Sequence, residues 1–312
     1  MNMSFDAVVF PGQGAQKKGM ANDFYQNHKA AQQVFEIAEQ YLPFDVKDMC
    51  FEANDLLHQT NYTQPCILTA EIAMFDSLKQ QYGDAFAPSY FGGHSLGEYA
   101  ALVAAGVLPF DVAIQLVGKR GELMHHADVD GGMAAVIMDD LPIDELRALA
   151  NAKNVDVAND NSLTQVVLSG EKTALELLVA ELEQHYQPQG IRCVTLQVSA
   201  PFHSRHMQAV EQAFHAFLTE FKDSFVANAA VNVVSNYLGR FYQADTDEII
   251  TALAKQLSGS VKWRDNMAAL VSKASNILEL GPNRPLRGFF KTIDVDIASV
   301  NNLRSADKAF AV

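Results

Sequence analysis

Apolar residues along this chain follow two different spacings. Short, mainly apolar runs at 7–10, 276–280 and 297–300, with a fourth at 231–234, read as strands buried on both faces. A shorter strand is expected at 87–91. Between these runs, apolar residues three and four apart predict helices: a long one over 21–41, another over 64–82 with Pro65 near its first turn, and one over 96–105. A further helix opens at Asp111 as its N-cap, after Pro109. Strands that alternate with helices call for a parallel sheet, so the main body is expected to be α/β.

Residues 131–198 break that rhythm. The pattern there gives strand 133–138, helix 143–152, strands 155–158 and 165–169, helix 171–185 and strand 191–198. The order β-α-β-β-α-β is that of the ferredoxin-like unit. It starts after Gly131-Gly132 and ends before Pro201, both natural boundaries. The expectation is a large parallel-sheet subdomain from 1–130 and 199–312, with a small ferredoxin-like subdomain, 131–198, inserted in it.

Composition narrows the function. The chain has 312 residues, 49% hydrophobic and 19% charged, which suits a soluble α/β protein with a sizeable core. No apolar stretch approaches the roughly 20 residues of a membrane span, so no membrane partner is expected. The first residues carry no basic stretch of the kind that opens a signal peptide. Cys50, Cys66 and Cys193 form no C-x-x-C pair and read as reduced thiols of a cytoplasmic protein. A formal charge of −14 argues against nucleic acid as a partner. It also means that an anionic substrate needs a local basic patch, for which Lys17, Lys18, Arg205, Arg284, Arg287 and Lys291 lie close to the motif loops.

The chemistry centres on Gly93-His94-Ser95-Leu96-Gly97, a G-x-S-x-G between an expected strand and helix. Such a junction forms a nucleophile elbow: the glycines permit a sharp turn, and the helix N-terminus favours developing negative charge. The competing role for Ser95 is a simple helix cap. A serine nucleophile needs a base, and nine histidines are available. His125 and His126 end a helix, where the dipole favours them, and His28, His58, His185 and His215 sit in polar surface contexts. His94 is expected as a polar wall of the site. His203 lies in Ala200-Pro201-Phe202-His203-Ser204, where the chain re-enters the large subdomain and a cleft would form, and is the expected base. His206 is the fallback.

Ordinary α/β-hydrolases carry an acid between the serine and the histidine, and none here sits in a clear strand-end loop. A backbone carbonyl or an amide can orient the imidazole instead, and Gln256 is a candidate. The oxyanion needs two main-chain N–H groups, expected from Leu96 and from Gln13 in the loop Gly12-Gln13-Gly14. That loop lacks the third glycine of a dinucleotide fingerprint, having Lys17, and the Lys-Ser/Thr of a Walker A loop, having Met20-Ala21. Helix arithmetic adds Arg120. From Ser95 to Gly106 the chain travels about 16 Å, turns, and covers about 14 Å back from Asp111 to Arg120. An arginine level with the nucleophile suits an acyl group that bears a free carboxylate.

These segments resemble the malonyl-CoA:acyl-carrier-protein transacylases. The shared motifs are Phe10-Pro11-Gly12-Gln13-Gly14, Thr63-Gln64-Pro65, Gly93-His94-Ser95-Leu96-Gly97-Glu98, Arg120-Gly121, Asn159-Asp160-Asn161-Ser162, Gln165-Val166-Val167, Pro201-Phe202-His203-Ser204 and Glu279-Leu280-Gly281-Pro282. The resemblance implies a hydrolase-like core with a ferredoxin-like insert and a malonyl group carried on Ser95. His203 would be the base, Gln13 and Leu96 the oxyanion hole, and Arg120 the holder of the malonyl carboxylate. His94, Phe202, Gln256 and Asn161 would line the substrate, Phe202 in the bulky form that discourages α-branched groups. Malonyl-CoA and an acyl carrier protein are the implied partners of a monomer, with no metal or cofactor. Ala15 and the stretch Asn283-Arg284-Pro285 depart from the family pattern. The segments 61–65 and 202–207 lean towards free-standing enzymes that serve polyketide assembly, with fatty-acid synthesis as the other pathway. An editing acyl hydrolase and a non-catalytic carrier-docking protein are the alternative functions.

Overall fold

A computed structural model describes residues 5–311. The expectation of no leader draws on residues 1–4, which lie outside the described residues. The strands in chain order are β1 (Ala7–Phe10), β2 (Tyr90–Gly93), β3 (Gly131–Ile137), β4 (Asp156–Ser162) and β5 (Gln165–Glu171), then β6 (Arg192–Thr195), β7 (Val234–Ser235), β8 (Arg240–Phe241), β9 (Ile277–Leu280) and β10 (Ala298–Val300).

The first sheet has the order β10-β9-β1-β2, with every pairing parallel. All four residues of β1 are fully buried, which is why that strand is continuously apolar rather than alternating. Phe10 pairs with Gly93, so β1 and β2 end side by side, and the loop after Phe10 faces the turn after Gly93. Ligands of open parallel sheets bind at such carboxyl ends.

The second sheet takes all its strands from Gly131–Thr195, in the antiparallel order β4-β5-β3-β6. Its two faces show the period-2 rule. Ala134 and Val136 pack under the helices Ile143–Ala152 and Lys172–Tyr186, in a core of their own with Leu146, Leu178 and Leu182. Met133 and Ala135 point the other way and join the core of the larger sheet. The α/β fold with a parallel sheet and a βαββαβ unit is therefore as the periodicity indicates.

Several boundaries differ from expectation. The stretch 21–41 is two helices, Asn22–Asn27 and Lys29–Tyr41, because His28 adopts an extended conformation (φ −131, ψ 127). The helix expected from 64 begins at Thr60 and runs to Tyr82, so Pro65 lies inside it and forgoes one ladder bond rather than marking the start. Pro109, not Asp111, precedes the helix Phe110–His125, and Asp111 forms no cap bond; its carboxylate lies in the first turn, where the helix dipole favours it. Strand β2 starts at Tyr90 rather than 87, after Pro88, which has no N–H to give, and runs on through both glycines into the elbow. The segment Ala227–Asn232 is 3-10 helix, leaving Val233 with a single bridge to Phe91 and only Val234–Ser235 as strand.

Candidate active site

The turn after β2 is possible only with glycine at both flanks. A Cβ on Gly93 would stand 1.9 Å from the backbone of Gly97, and one on Gly97 would stand 2.2 Å from the carbonyl oxygen of Phe10. Between them Ser95 adopts φ 52, in the left-handed region that costs a side-chain-bearing residue about 1–2 kcal/mol. The strained turn is clamped by a residue the sequence reading did not single out. Asn236 accepts the Ser95 N–H at 2.6 Å and donates its own amide to Gly93 O at 2.8 Å.

His203 arrives from the opposite side, also in left-handed backbone at φ 57, with its N–H on Leu257 O at 3.0 Å. Its Nε2 stands 2.8 Å from Ser95 Oγ and its Nδ1 2.6 Å from the carbonyl oxygen of Gln256. A carbonyl can only accept, so Nδ1 carries the proton and Nε2 is left to take the serine proton. The helix Thr246–Lys255 ends just before Gln256, which frees that carbonyl for the imidazole. Burial, with the Arg120 charge adding to it, pushes the His203 pKa down to about 3, so the ring is neutral at ordinary pH. His206 lies elsewhere, with its Nε2 on Asn154 O at 3.0 Å.

Arg120 is wholly buried. Its Nη2 donates to Ser95 Oγ at 3.1 Å and to Gln256 Oε1 at 2.9 Å, and its Nη1 donates to Gln64 Oε1 at 2.6 Å. The antiparallel helical return thus brings it not merely level with the nucleophile but into contact. The Gln256 side chain serves Arg120, while its main chain serves His203. Beyond Gln256 lies a second buried ionisable group, Glu98, which the sequence reading carried only as part of a motif. Glu98 Oε2 accepts from Gln256 Nε2 at 2.6 Å and from Asn236 N at 3.2 Å, and Oε1 accepts from Tyr242 Oη at 2.5 Å. Burial raises the Glu98 pKa to about 7 against those hydrogen bonds.

Gln13, His94, Ser95, Phe202 and His203 all line one cavity of about 110 Å³. Leu96, fully buried, opens the helix Gly97–Ala104. Among the described residues, neither the Gln13 nor the Leu96 main-chain N–H is spent on a protein acceptor. His94 turns away from Ser95 Oγ, with its Nε2 on Asn161 Oδ1 at 2.7 Å and its ring edge against Trp263. Asn161 on β4 therefore reaches the site through His94 and ties the second sheet to the elbow. Of the expected basic patch, Arg205 is held by Asp156 and Arg287 by Asp296.

Residues 7–273 match the family model described as the acyl transferase domain. The chain belongs to the acyl transferase family. It is 36% identical over 310 residues to a malonyl-CoA:acyl-carrier-protein transacylase of Staphylococcus aureus, covering 96% of this chain and 97% of that one. It is 37% identical over 292 residues to a polyketide-biosynthesis malonyl-CoA:acyl-carrier-protein transacylase of Bacillus velezensis, covering 91% and 95%. Among solved structures, the malonyl-CoA:acyl-carrier-protein transacylase of Xanthomonas oryzae superposes with a TM-score of 0.90 at 31% identity, covering 99% of this chain and 98% of that one. The acyltransferase expectation from the motifs holds. The two departures from the family pattern touch each other: Asn283 Nδ2 donates to Ala15 O at 2.8 Å.

Proposed function

We propose that this chain transfers a malonyl group from malonyl-CoA to the phosphopantetheine thiol of an acyl carrier protein, by a ping-pong route through an ester on Ser95. One observation carries the reading: Ser95 Oγ touches both a neutral imidazole acceptor and a buried guanidinium donor. The first makes a nucleophile. The second gives the acyl group a place for its own carboxylate, offsetting the cost of burying that charge.

In the first half-reaction Ser95 Oγ attacks the thioester carbonyl while His203 Nε2 takes its proton. The oxyanion is held by the Gln13 and Leu96 N–H groups. The C–S bond breaks and the departing thiolate takes the proton from His203. In the second half the carrier thiol gives its proton to His203 and attacks the ester, and Ser95 Oγ leaves with that proton. Phe202 walls the acyl cavity, while His94 and Asn161 brace its far side. The reading extends to residues 131–198 as the small subdomain that covers the acyl group, and to a free-standing, cytoplasmic monomer in fatty-acid or polyketide assembly. The names of the relatives, malonyl-CoA:acyl-carrier-protein transacylases of which one serves polyketide biosynthesis, support the malonyl transfer. A buried cation on the nucleophile speaks against an editing hydrolase, whose acyl groups lack a terminal carboxylate.

The test is a mass measurement after incubation with malonyl-CoA. Wild-type protein should gain one malonyl group and Ser95→Ala none; an adduct that persists in the variant overturns the assignment.

A further inference from the structure

Arg120 and Glu98 are two buried ions of opposite sign with one amide between them. Gln256 offers its Oε1 to Arg120 at 2.9 Å and its Nε2 to Glu98 at 2.6 Å. Among the described residues no carboxylate touches Arg120 directly, its other acceptors being Gln64 Oε1 and Ser95 Oγ. Every group that faces Glu98 can be named. Gln256 comes from the end of the helix Thr246–Lys255, and Asn236 and Tyr242 from the segments after β7 and β8. Arg120 comes from the helix Phe110–His125, and Tyr99 lies on the same helix as Glu98. Burial pushes both tyrosines up and His203 down, so all three are neutral between pH 6 and 9. Arg120 is the only ion facing Glu98 among the described residues.

This arrangement has room for one negative charge opposite Arg120. Above about pH 7, with the acyl cavity empty, that charge sits on Glu98, whose two oxygens receive three donors. A malonyl carboxylate on Arg120 brings a second negative charge into the same buried space, where like charges disfavour each other's ionised forms. The proton Glu98 would then take has a ready geometry. Tyr242 Oη, 2.5 Å from Oε1, can accept it once its own hydroxyl hydrogen turns away from the carboxyl.

We propose that Glu98 is a positioning residue that sets acyl selectivity by taking up a proton from solvent when a carboxylate-bearing acyl group docks on Arg120. The proposal rests on the malonyl-transfer reading. An uncharged acetyl group needs no such proton. The malonyl-over-acetyl preference should therefore fall with pH where Glu98 must be neutralised, while the CoA phosphates and His203 affect both donors alike.

The experiment measures kcat/KM for Ser95 acylation by malonyl-CoA and by acetyl-CoA from pH 6 to 9, and reads their ratio. For the wild type, the ratio should fall about tenfold per pH unit above about pH 7, the slope of one linked proton. Glu98→Gln, an isostere of the protonated form, should keep malonyl transfer and show a flat ratio. Tyr242→Phe, which removes a donor to the carboxylate, should move the break to higher pH, and it serves the test if Glu98→Gln fails to fold. A merely structural role for Glu98 would lower both rates together and leave the ratio's slope unchanged. A flat wild-type ratio, or a slope retained in Glu98→Gln, overturns the proposal while malonyl transfer stands. Absence of any malonyl adduct at every pH overturns both.

Discussion

Replacing Arg120 with alanine is the sharpest probe of the acyl cavity. The side chain is fully buried, and its fork makes three hydrogen bonds, at 2.6, 2.9 and 3.1 Å. On the proposed reading, the Ser95 bond gives way in the malonyl complex to bonds with the substrate carboxylate. Without Arg120 that carboxylate would be an uncompensated buried charge, a loss of about 3–5 kcal/mol. At 1.36 kcal/mol per decade, kcat/KM for malonyl-CoA should fall by roughly two to nearly four orders of magnitude. Acetyl transfer should stay within about tenfold, because the acetyl group makes no use of the guanidinium and His203 escapes a positive neighbour that holds its pKa down. Rapid-quench acylation with each donor, read by intact mass, gives both constants from one preparation. Equal losses for the two donors would refute the carboxylate clamp and leave Arg120 as a support for Gln64 and Gln256.

Two other outcomes follow from the same geometry. The His203 pKa lies below its ordinary 6.5, so the unfolded chain binds the proton first, and the stability due to the neutral ring is complete above pH 6.5 and lost as pH falls towards 3. Urea midpoints should accordingly show His203→Asn gaining on the wild type by roughly 2 kcal/mol between pH 7 and 4.5, and parallel curves would contradict the assigned burial. Gly93→Ala places a methyl 1.9 Å from backbone that no rotamer change can move, so its thermal midpoint should fall by the equivalent of at least about 2 kcal/mol, and an unshifted melt would refute the elbow geometry.

The division of labour between sequence and structure is physical. The βαββαβ unit was readable because β3, β4 and β5 bury one face under their own helices and the other in the larger core, which leaves short apolar runs set between helical stretches. Ser95, His203 and Arg120 were readable because a glycine-flanked turn, a chain re-entry and a helical return are all local patterns. Asn236 and Tyr242 were not, since their partners lie 138 to 144 residues away and nothing in their own neighbourhoods marks them, and Glu98, the last residue of a motif, gave no sign of those partners. Gln256 was half readable. Its position at a helix end pointed to the site, but only the fold shows the carbonyl on His203 and the amide between Arg120 and Glu98. The break at His28 and the start at Thr60 were likewise not legible, since a single extended residue interrupts one continuous helical pattern and no side-chain cap marks the other boundary.

The two partners of the 2.8 Å bond, Ser95 and His203, share an unfavourable backbone region. Each is held there against its own preference, so the surrounding fold must spend stability on the pair before any acyl group arrives. That expense is incurred once, in folding, and recurs in neither half-reaction. Donor and acceptor thiols meet the same fixed dyad, whose reorganisation has been completed in advance. A lineage that lost the need to transfer acyl groups could relax both positions to glycine and become sturdier. Strain at these two residues is thus a mark of use, and its persistence in the fold is the cost of keeping the serine ready.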